Sequence, residues 1–182
     1  MEAMLYEGHP QYREDMCASE RATYQFLDGL GVAYATLCHA PAFTMEECAA
    51  VEEMIGAAIP KNLFLCNRQQ TQFYLLMMPG GKVFKTKFLS SELGCARLSF
   101  ADESHMTALL GIHPGAVSPM GLMNDSGKKV QLVIDRDLLQ HGIIGCHPCV
   151  NTATVRLGMD DLLQRVVPET GHDFRIVDLK TE

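Results

Sequence analysis

NLFLCNRQQTQFYLLMM, Asn62 to Met78, is the stretch that decides the fold class. Two apolar runs, NLFLCN and TQFYLLMM, flank the polar triplet Arg68-Gln69-Gln70, and Pro79-Gly80-Gly81 follows. Short apolar runs separated by a polar turn and closed by Pro and Gly predict a β-hairpin. Upstream, Ala22, Phe26 and Leu30 share one helical face, which predicts a helix over 19–30, ended by Gly29 and Gly31. Val32–Leu37 reads as a strand. Thr44-Met45-Glu46-Glu47 reads as a capping box opening a second helix that Gly56 and Pro60 close. Downstream, helices are expected at 87–93 and 102–110, and strands at 96–100, KVQLVID and TATVRL. MDDLLQRVV should then form a helix and FRIVDL a last strand. Helices interspersed with hairpin-like strands predict a mixed α/β fold rather than a regular parallel β-α-β sheet.

The 182 residues suit one domain, with no repeat, low-complexity tract or linker, and with 1–15 expected as a loose lead-in. No apolar run reaches the ~20 residues of a membrane span. The start Met1-Glu2-Ala3-Met4 lacks a signal-peptide pattern, so a cytoplasmic location is expected and no membrane partner. The formal net charge of −7 argues against sequence-independent binding to DNA or RNA, which leans on neutralising phosphates, although it leaves room for a local basic patch. The seven cysteines are odd in number and fit reduced thiols better than a disulfide framework. There is no glycine-rich phosphate loop of dinucleotide or P-loop type.

GCHPCVNTAT, Gly145 to Thr154, contains a C-x-x-C with a histidine inside it. A redox dithiol wants its first cysteine at a helix start, but Val150-Asn151-Thr152-Ala153-Thr154-Val155 favours a strand. A structural zinc site wants a second ligand pair, and neither another C-x-x-C nor an H-x₃-H is present. Packing is the plainer reading of Cys146 and Cys149. What remains is a Gly-x-His-Pro turn entering a strand. It serves either as a structural turn or as a loop presenting an imidazole and backbone donors to a small polar ligand.

Three stretches, KNLFL (61–65), PGAVSPMGLMND (114–125) and HPCVNTATV (147–155), together resemble the YbaK/PrdX family of aminoacyl-tRNA editing deacylases. The likeness is to the free-standing branch related to the insertion domain of bacterial prolyl-tRNA synthetase. HAPAFTMEE (39–47) and GHDFRIVDL (171–179) fit too. The resemblance implies a single YbaK-like domain with a central, mixed, barrel-like β-sheet flanked by helices. It implies hydrolysis of the ester joining a wrong amino acid to tRNA, most simply alanine on tRNA(Pro), with seryl- or cysteinyl-tRNA as alternatives. A non-catalytic tRNA- or synthetase-binding module is the rival outside enzymes. Carried onto this sequence, Lys61 is the catalytic candidate. Gly145, His147, Pro148, Asn62, Asn151, Phe43 and Ser118 are the substrate-binding candidates. Cys149 and Met120 stand where leucine and phenylalanine are common in the family. The partners implied are the acceptor end of an aminoacylated tRNA and prolyl-tRNA synthetase; no cofactor or metal is implied.

The chemistry has a reason to exist. A synthetase rejects a smaller substrate by only ~1–3 kcal/mol per missing methylene, so a second sieve is needed. No G-x-S-x-G is present to suggest a covalent serine route. Lys61 is a compact cation suited to a terminal phosphate or carbonyl oxygen. Lys82, Lys85 and Lys87 form a cluster that either touches tRNA or is an ordinary solvated face, and Lys128-Lys129 is a second such pair.

Overall fold

The computed structural model describes residues 3–42 and 45–180. Its strands are β1 (Met4–Glu7), β2 (Tyr34–Cys38), β3 (Lys61–Cys66), β4 (Phe73–Met78), β5 (Ser99–Phe100), β6 (Val130–Asp135), β7 (Ile143–Cys146), β8 (Ala153–Gly158) and β9 (Phe174–Val177). The helices are α1 (Ala18–Leu30), α2 (Met45–Ile55), α3 (Thr86–Leu93) and α4 (Glu103–Leu110). A composite α5 follows, in which Met159–Asp161, a π segment Leu162–Val166 and Val167–Glu169 run on without a break.

The hairpin forms as expected: β3 and β4 pair antiparallel from Lys61↔Met78 to Cys66↔Phe73. Asn67 organises its turn, with Oδ1 accepting from the Thr71 and Gln72 amides at 2.9 and 3.2 Å. Register is set by burial more than by this turn. Each such hydrogen bond nets about 1 kcal/mol, whereas a fully buried large apolar side chain contributes about 1.5–3 kcal/mol. Every residue of β4 is buried. Phe73, Leu75 and Met77 face the larger core, and Tyr74, Leu76 and Met78 face a second one under α3. A strand covered on both faces reads as a continuous apolar run, which is why FYLLMM shows no alternation.

Two sheets result. One is mixed, in the order β5-β3-β4-β6-β9, with β4–β6 and β6–β9 parallel. The other is antiparallel, in the order β1-β2-β8-β7. The larger core lies between them, joining Phe64, Leu75, Leu132 and Ile134 to Ile144, Cys146, Val155 and Leu157. The edge of the second sheet closes onto the entry to β3: Ala58 bridges Ile144, and the Gly145 amide donates to the Ala58 carbonyl at 2.8 Å. The mixed α/β class and its barrel-like closure are therefore present.

Local differences have local causes. The expected lead-in over 1–15 contains β1, whose Met4–Glu7 pairs with Cys38–Ala35 of β2. Too few residues precede it for a periodic signal. The strand expected over 96–100 shrinks to Ser99–Phe100, paired only with Leu65 and Cys66. Gly31 closes α1 as expected, in the left-handed region at φ 60°, whereas Gly29 lies inside the helix; Asp102, expected as the first residue of α4, caps it by accepting from the His105 amide. Thr44, the first residue of the expected capping box, lies outside the described residues. No helix among the described residues is long and apolar enough to cross a membrane.

Candidate active site

β7 ends at Cys146, β8 begins at Ala153, and the loop between them carries His147, Pro148 and Asn151. Gly145 itself lies in β7 with ordinary strand geometry, not in the turn that follows, and it supplies no positive backbone angle there. Its reason is space. A Cβ at 145 would lie 2.9 Å from Ile59 Cγ1 and 3.2 Å from Thr154 Cγ2. The left-handed residue of the turn is Cys149, at φ 61°.

Where β7, the entry to β3 and the Pro114–Ser118 stretch meet, they enclose a cavity of about 180 Å³. Ile59, Pro60 and Val117 wall it, Gly115 and Gly145 leave it open, and Asn62 and His147 are its polar groups. His147 Nδ1 lies 2.8 Å from the Ala153 carbonyl, which can only accept. Nδ1 therefore carries the proton, and neutral Nε2 is left as an acceptor. Burial holds the His147 pKa below the usual histidine value; the bond to Ala153 opposes this and nearby His39 adds to it. The ring is neutral at pH 7. Asn62 Nδ2 makes one long contact, 3.4 Å to the Pro60 carbonyl. Its Oδ1 is buried with no hydrogen-bond partner among the described residues. Such an atom is costly to leave empty-handed, and a ligand donor would satisfy it.

Lys61 precedes Asn62 on β3, and alternation along a strand turns it to the other side. It does not line the small cavity. It lines a groove with Lys85, Lys87, Arg97 and the exposed Phe100, which continues past Arg97 to Arg68. No carboxylate lines this groove, and none of its cations has an ion-pair partner among the described residues. Lys61 Nζ donates to the Lys82 carbonyl at 2.9 Å. Lys82 does not belong with Lys85 and Lys87. Its ammonium is drawn inward between Asp135 and Asp137, at 2.7 Å from each.

The other candidates divide. Asn151 stands at the rim, its Nδ2 3.5 Å from where a Gly115 Cβ would be. Pro148 is buried behind the loop. Ser118 is fully buried and accepts from the Met120 amide, capping the 3-10 turn Pro119–Asn124. It shapes the turn next to Val117 rather than facing the cavity. Phe43 lies outside the described residues. Ile59, Pro60, Gly115 and Val117 were not singled out by sequence reasoning, although Gly115 sits between Pro114 and Val117 in a stretch already quoted. Its φ of 89° is the signal a Pro-Gly pair can carry.

Cys146 and Cys149 pack into the larger core. Burial pushes the Cys146 thiol up to about 12 and the Cys149 thiol up to about 11, the reverse of what a nucleophilic or metal-binding thiolate needs. Cys149 Sγ also accepts from the Thr23 hydroxyl at 3.6 Å. Replacing both cysteines with alanine is expected to leave catalytic turnover within about twofold and to lower stability by roughly 1–3 kcal/mol through lost packing. Turnover assays and urea melts on the double variant measure both; an inactive but folded protein would restore a thiol role.

Fold and cavity together give a two-sheet α/β scaffold with a small cavity at Asn62 and a basic groove at Lys61, one residue apart on β3. The family model described as the aminoacyl-tRNA editing domain matches residues 39–164. The chain belongs to that family. It is 33% identical over 161 residues to the prolyl-tRNA editing protein ProX of Acetoanaerobium sticklandii, covering 88% of this chain and 98% of that one. It is 32% identical over 150 residues to prolyl-tRNA synthetase associated domain-containing protein 1 of Danio rerio, covering 81% and 80%. A crystal structure described as a candidate trans-editing enzyme for prolyl-tRNA synthetase superposes with a TM-score of 0.68 at 21% identity, covering 92% of this chain and all of the other. A crystal structure of the hypothetical protein APE2540 superposes with a TM-score of 0.64, covering 84% and 96%. These two structures share the fold.

Proposed function

We propose that this protein is a trans-acting deacylase that hydrolyses the ester of alanyl-tRNA(Pro). The observation that carries it is one strand start serving two environments. Asn62 opens into a small uncharged cavity, and Lys61, one residue earlier, opens into a carboxylate-free basic groove. An aminoacylated adenosine has the matching halves. Its small amino acid carries an ammonium donor for Asn62 Oδ1 and His147 Nε2, and its phosphates suit Lys61, Lys85, Lys87 and Arg97. Exposed Phe100 offers a stacking face for a base. The names of the ProX and synthetase-associated relatives support proline tRNA as the carrier, with prolyl-tRNA synthetase as the source of the mischarged ester.

Serine, threonine and cysteine are missing from the described residues that line the cavity, so the nucleophile of this reading is water. Water adds across the ester: the bond from carbonyl carbon to the ribose oxygen breaks, the amino acid keeps the hydroxyl, and the ribose oxygen takes the proton. Asn62 and His147 hold the amino acid, and Lys61 anchors the terminal phosphate. Position supplies the catalysis. The Gly145 amide is already committed to Ala58, so oxyanion donors must come from elsewhere, and the loosely held Asn62 Nδ2 is the nearest candidate.

The test is single-turnover hydrolysis of tRNA(Pro) charged with alanine, proline, serine or cysteine. Alanine release should exceed proline release by at least about tenfold, since size exclusion is worth ~1–3 kcal/mol per group. Faster release of proline overturns the reading, and faster release of serine or cysteine than alanine reassigns the substrate. Lys61→Ala should lower kcat/KM about tenfold, the worth of one hydrogen bond to a charged group, with an unchanged melting profile. A wild-type rate would remove Lys61 from the substrate path.

A further inference from the structure

His39 lies outside the cavity, yet it is tied to the wall that carries His147. It is buried, 6% exposed. Its Nδ1 lies 2.8 Å from the Ala40 carbonyl and its Nε2 2.9 Å from Thr154 Oγ1. A carbonyl only accepts, so Nδ1 carries a proton, which leaves Nε2 to pair with the single hydroxyl of Thr154. The His39 amide donates to the Thr152 carbonyl at 2.9 Å. Three consecutive residues thus join two imidazoles: Thr152 and Thr154 are held by His39, and the Ala153 carbonyl between them holds His147 Nδ1. The two rings sit 6.4 Å apart, centroid to centroid. Thr154 is fully buried, and its methyl points to the space that Gly145 leaves open, 3.2 Å from where a Cβ would be.

We propose that His39 is a positioning residue: through the Thr154 hydroxyl it fixes the 152–154 segment, and that segment fixes the ring orientation and tautomer of His147. His39 meets no substrate in this arrangement; its own free face borders a separate surface cavity with Cys38, Glu20 and Arg13. The inference rests on the proposed function for its kinetic consequence, but the structural claim stands apart from it. Without the His39 side chain, the Thr154 hydroxyl is released to rotate, and the segment keeps only its backbone pairing with β2 and the amide bond from residue 39 to the Thr152 carbonyl. His147 Nδ1–H is then no longer required to point where it does.

The experiment compares His39→Ala, Thr154→Val and Thr154→Ser with their parent. Thr154→Val keeps shape and methyl while deleting the hydroxyl; Thr154→Ser keeps the hydroxyl. Long-range ¹H–¹⁵N NMR reads the His147 tautomer directly, and single-turnover hydrolysis of alanyl-tRNA(Pro) reads kcat and KM. The wild-type protein should show a single Nδ1–H tautomer of His147. His39→Ala and Thr154→Val should each show mixed tautomers and a kcat lowered about tenfold, within the range a misplaced group costs, with KM within about twofold. Thr154→Ser should behave as wild type, and the His39→Ala/Thr154→Val double variant should be no worse than either single one. A folded Thr154→Val protein with wild-type tautomer and kcat, or additive losses in the double variant, overturns the inference. A wild-type protein inert towards every ester refutes the proposed function instead, and the tautomer measurement still decides the role of His39.

Discussion

Gly145→Val is expected to lower the deacylation rate by about a hundredfold or more and to cost roughly 1–3 kcal/mol of stability. Both effects have one origin. The new Cβ would sit 2.9 Å from Ile59 Cγ1 and 3.2 Å from Thr154 Cγ2, below ordinary contact, and its two methyl groups would enter the cavity that His147 and Asn62 share. The backbone at 145 is a normal strand, so valine is not excluded by its dihedral angles. This separates two explanations. If space is the cause, Ile59→Ala in the Gly145→Val background recovers part of the stability, and Gly145→Ala falls between the two. If the backbone were the cause, Gly145→Ala would be as damaging as Gly145→Val. Melting curves and single-turnover rates on the four proteins distinguish these outcomes; near-wild-type hydrolysis by Gly145→Val would remove the cavity from the reaction.

Lys82→Ala is expected to lower stability by about 3–5 kcal/mol while leaving the affinity for tRNA nearly unchanged in the folded fraction. The Lys82 side chain is 9% exposed and Asp135 is wholly buried, so deleting the ammonium strands a carboxylate in the core. Asp137 is largely solvated and contributes less. Burial works against the Lys82 charge, but its bonds to Asp135 and Asp137 outweigh this and hold its pKa above the usual lysine value. The sign follows: the contribution is complete at neutral pH and is lost only as pH rises through the raised value. Lys85→Ala and Lys87→Ala should show the opposite behaviour, with weaker tRNA binding, a shallower salt dependence and little change in stability. Urea titrations and filter-binding across salt concentrations test the contrast. A Lys82→Ala loss below about 1 kcal/mol would mean that Asp135 finds water.

The three lysines show how far residue order can be read. Lys82, Lys85 and Lys87 are equivalent in sequence, a basic cluster after a Pro-Gly-Gly turn. Only the packing of the turn against the 135–137 segment, which lies more than fifty residues away, separates the one that is buried and ion-paired from the two that are exposed beside Phe88 with no ion pair among the described residues. Lys61 and Asn62 are the reverse case. Neighbours in sequence, they are sent by strand alternation to different cavities.

The sequence by itself determined the mixed α/β class, the β3–β4 hairpin, the bounds of α1 and α4 to within a residue or two, and the family to which the chain belongs. These are local signals: apolar runs, caps and glycines act within one or two turns of chain, and the quoted motifs keep their order. It also placed Gly145, His147 and Asn62 together as candidates. Tertiary structure alone decided that Gly145 is there for clearance rather than for backbone angle. It brought Ile59, Gly115 and Val117 to the same cavity, and it tied His39 to His147 through Thr154. The physical reason is that clearance, burial and the tautomer of a buried imidazole depend on which atoms arrive from distant segments once the two sheets close at Ala58 and Ile144. No local pattern carries that information.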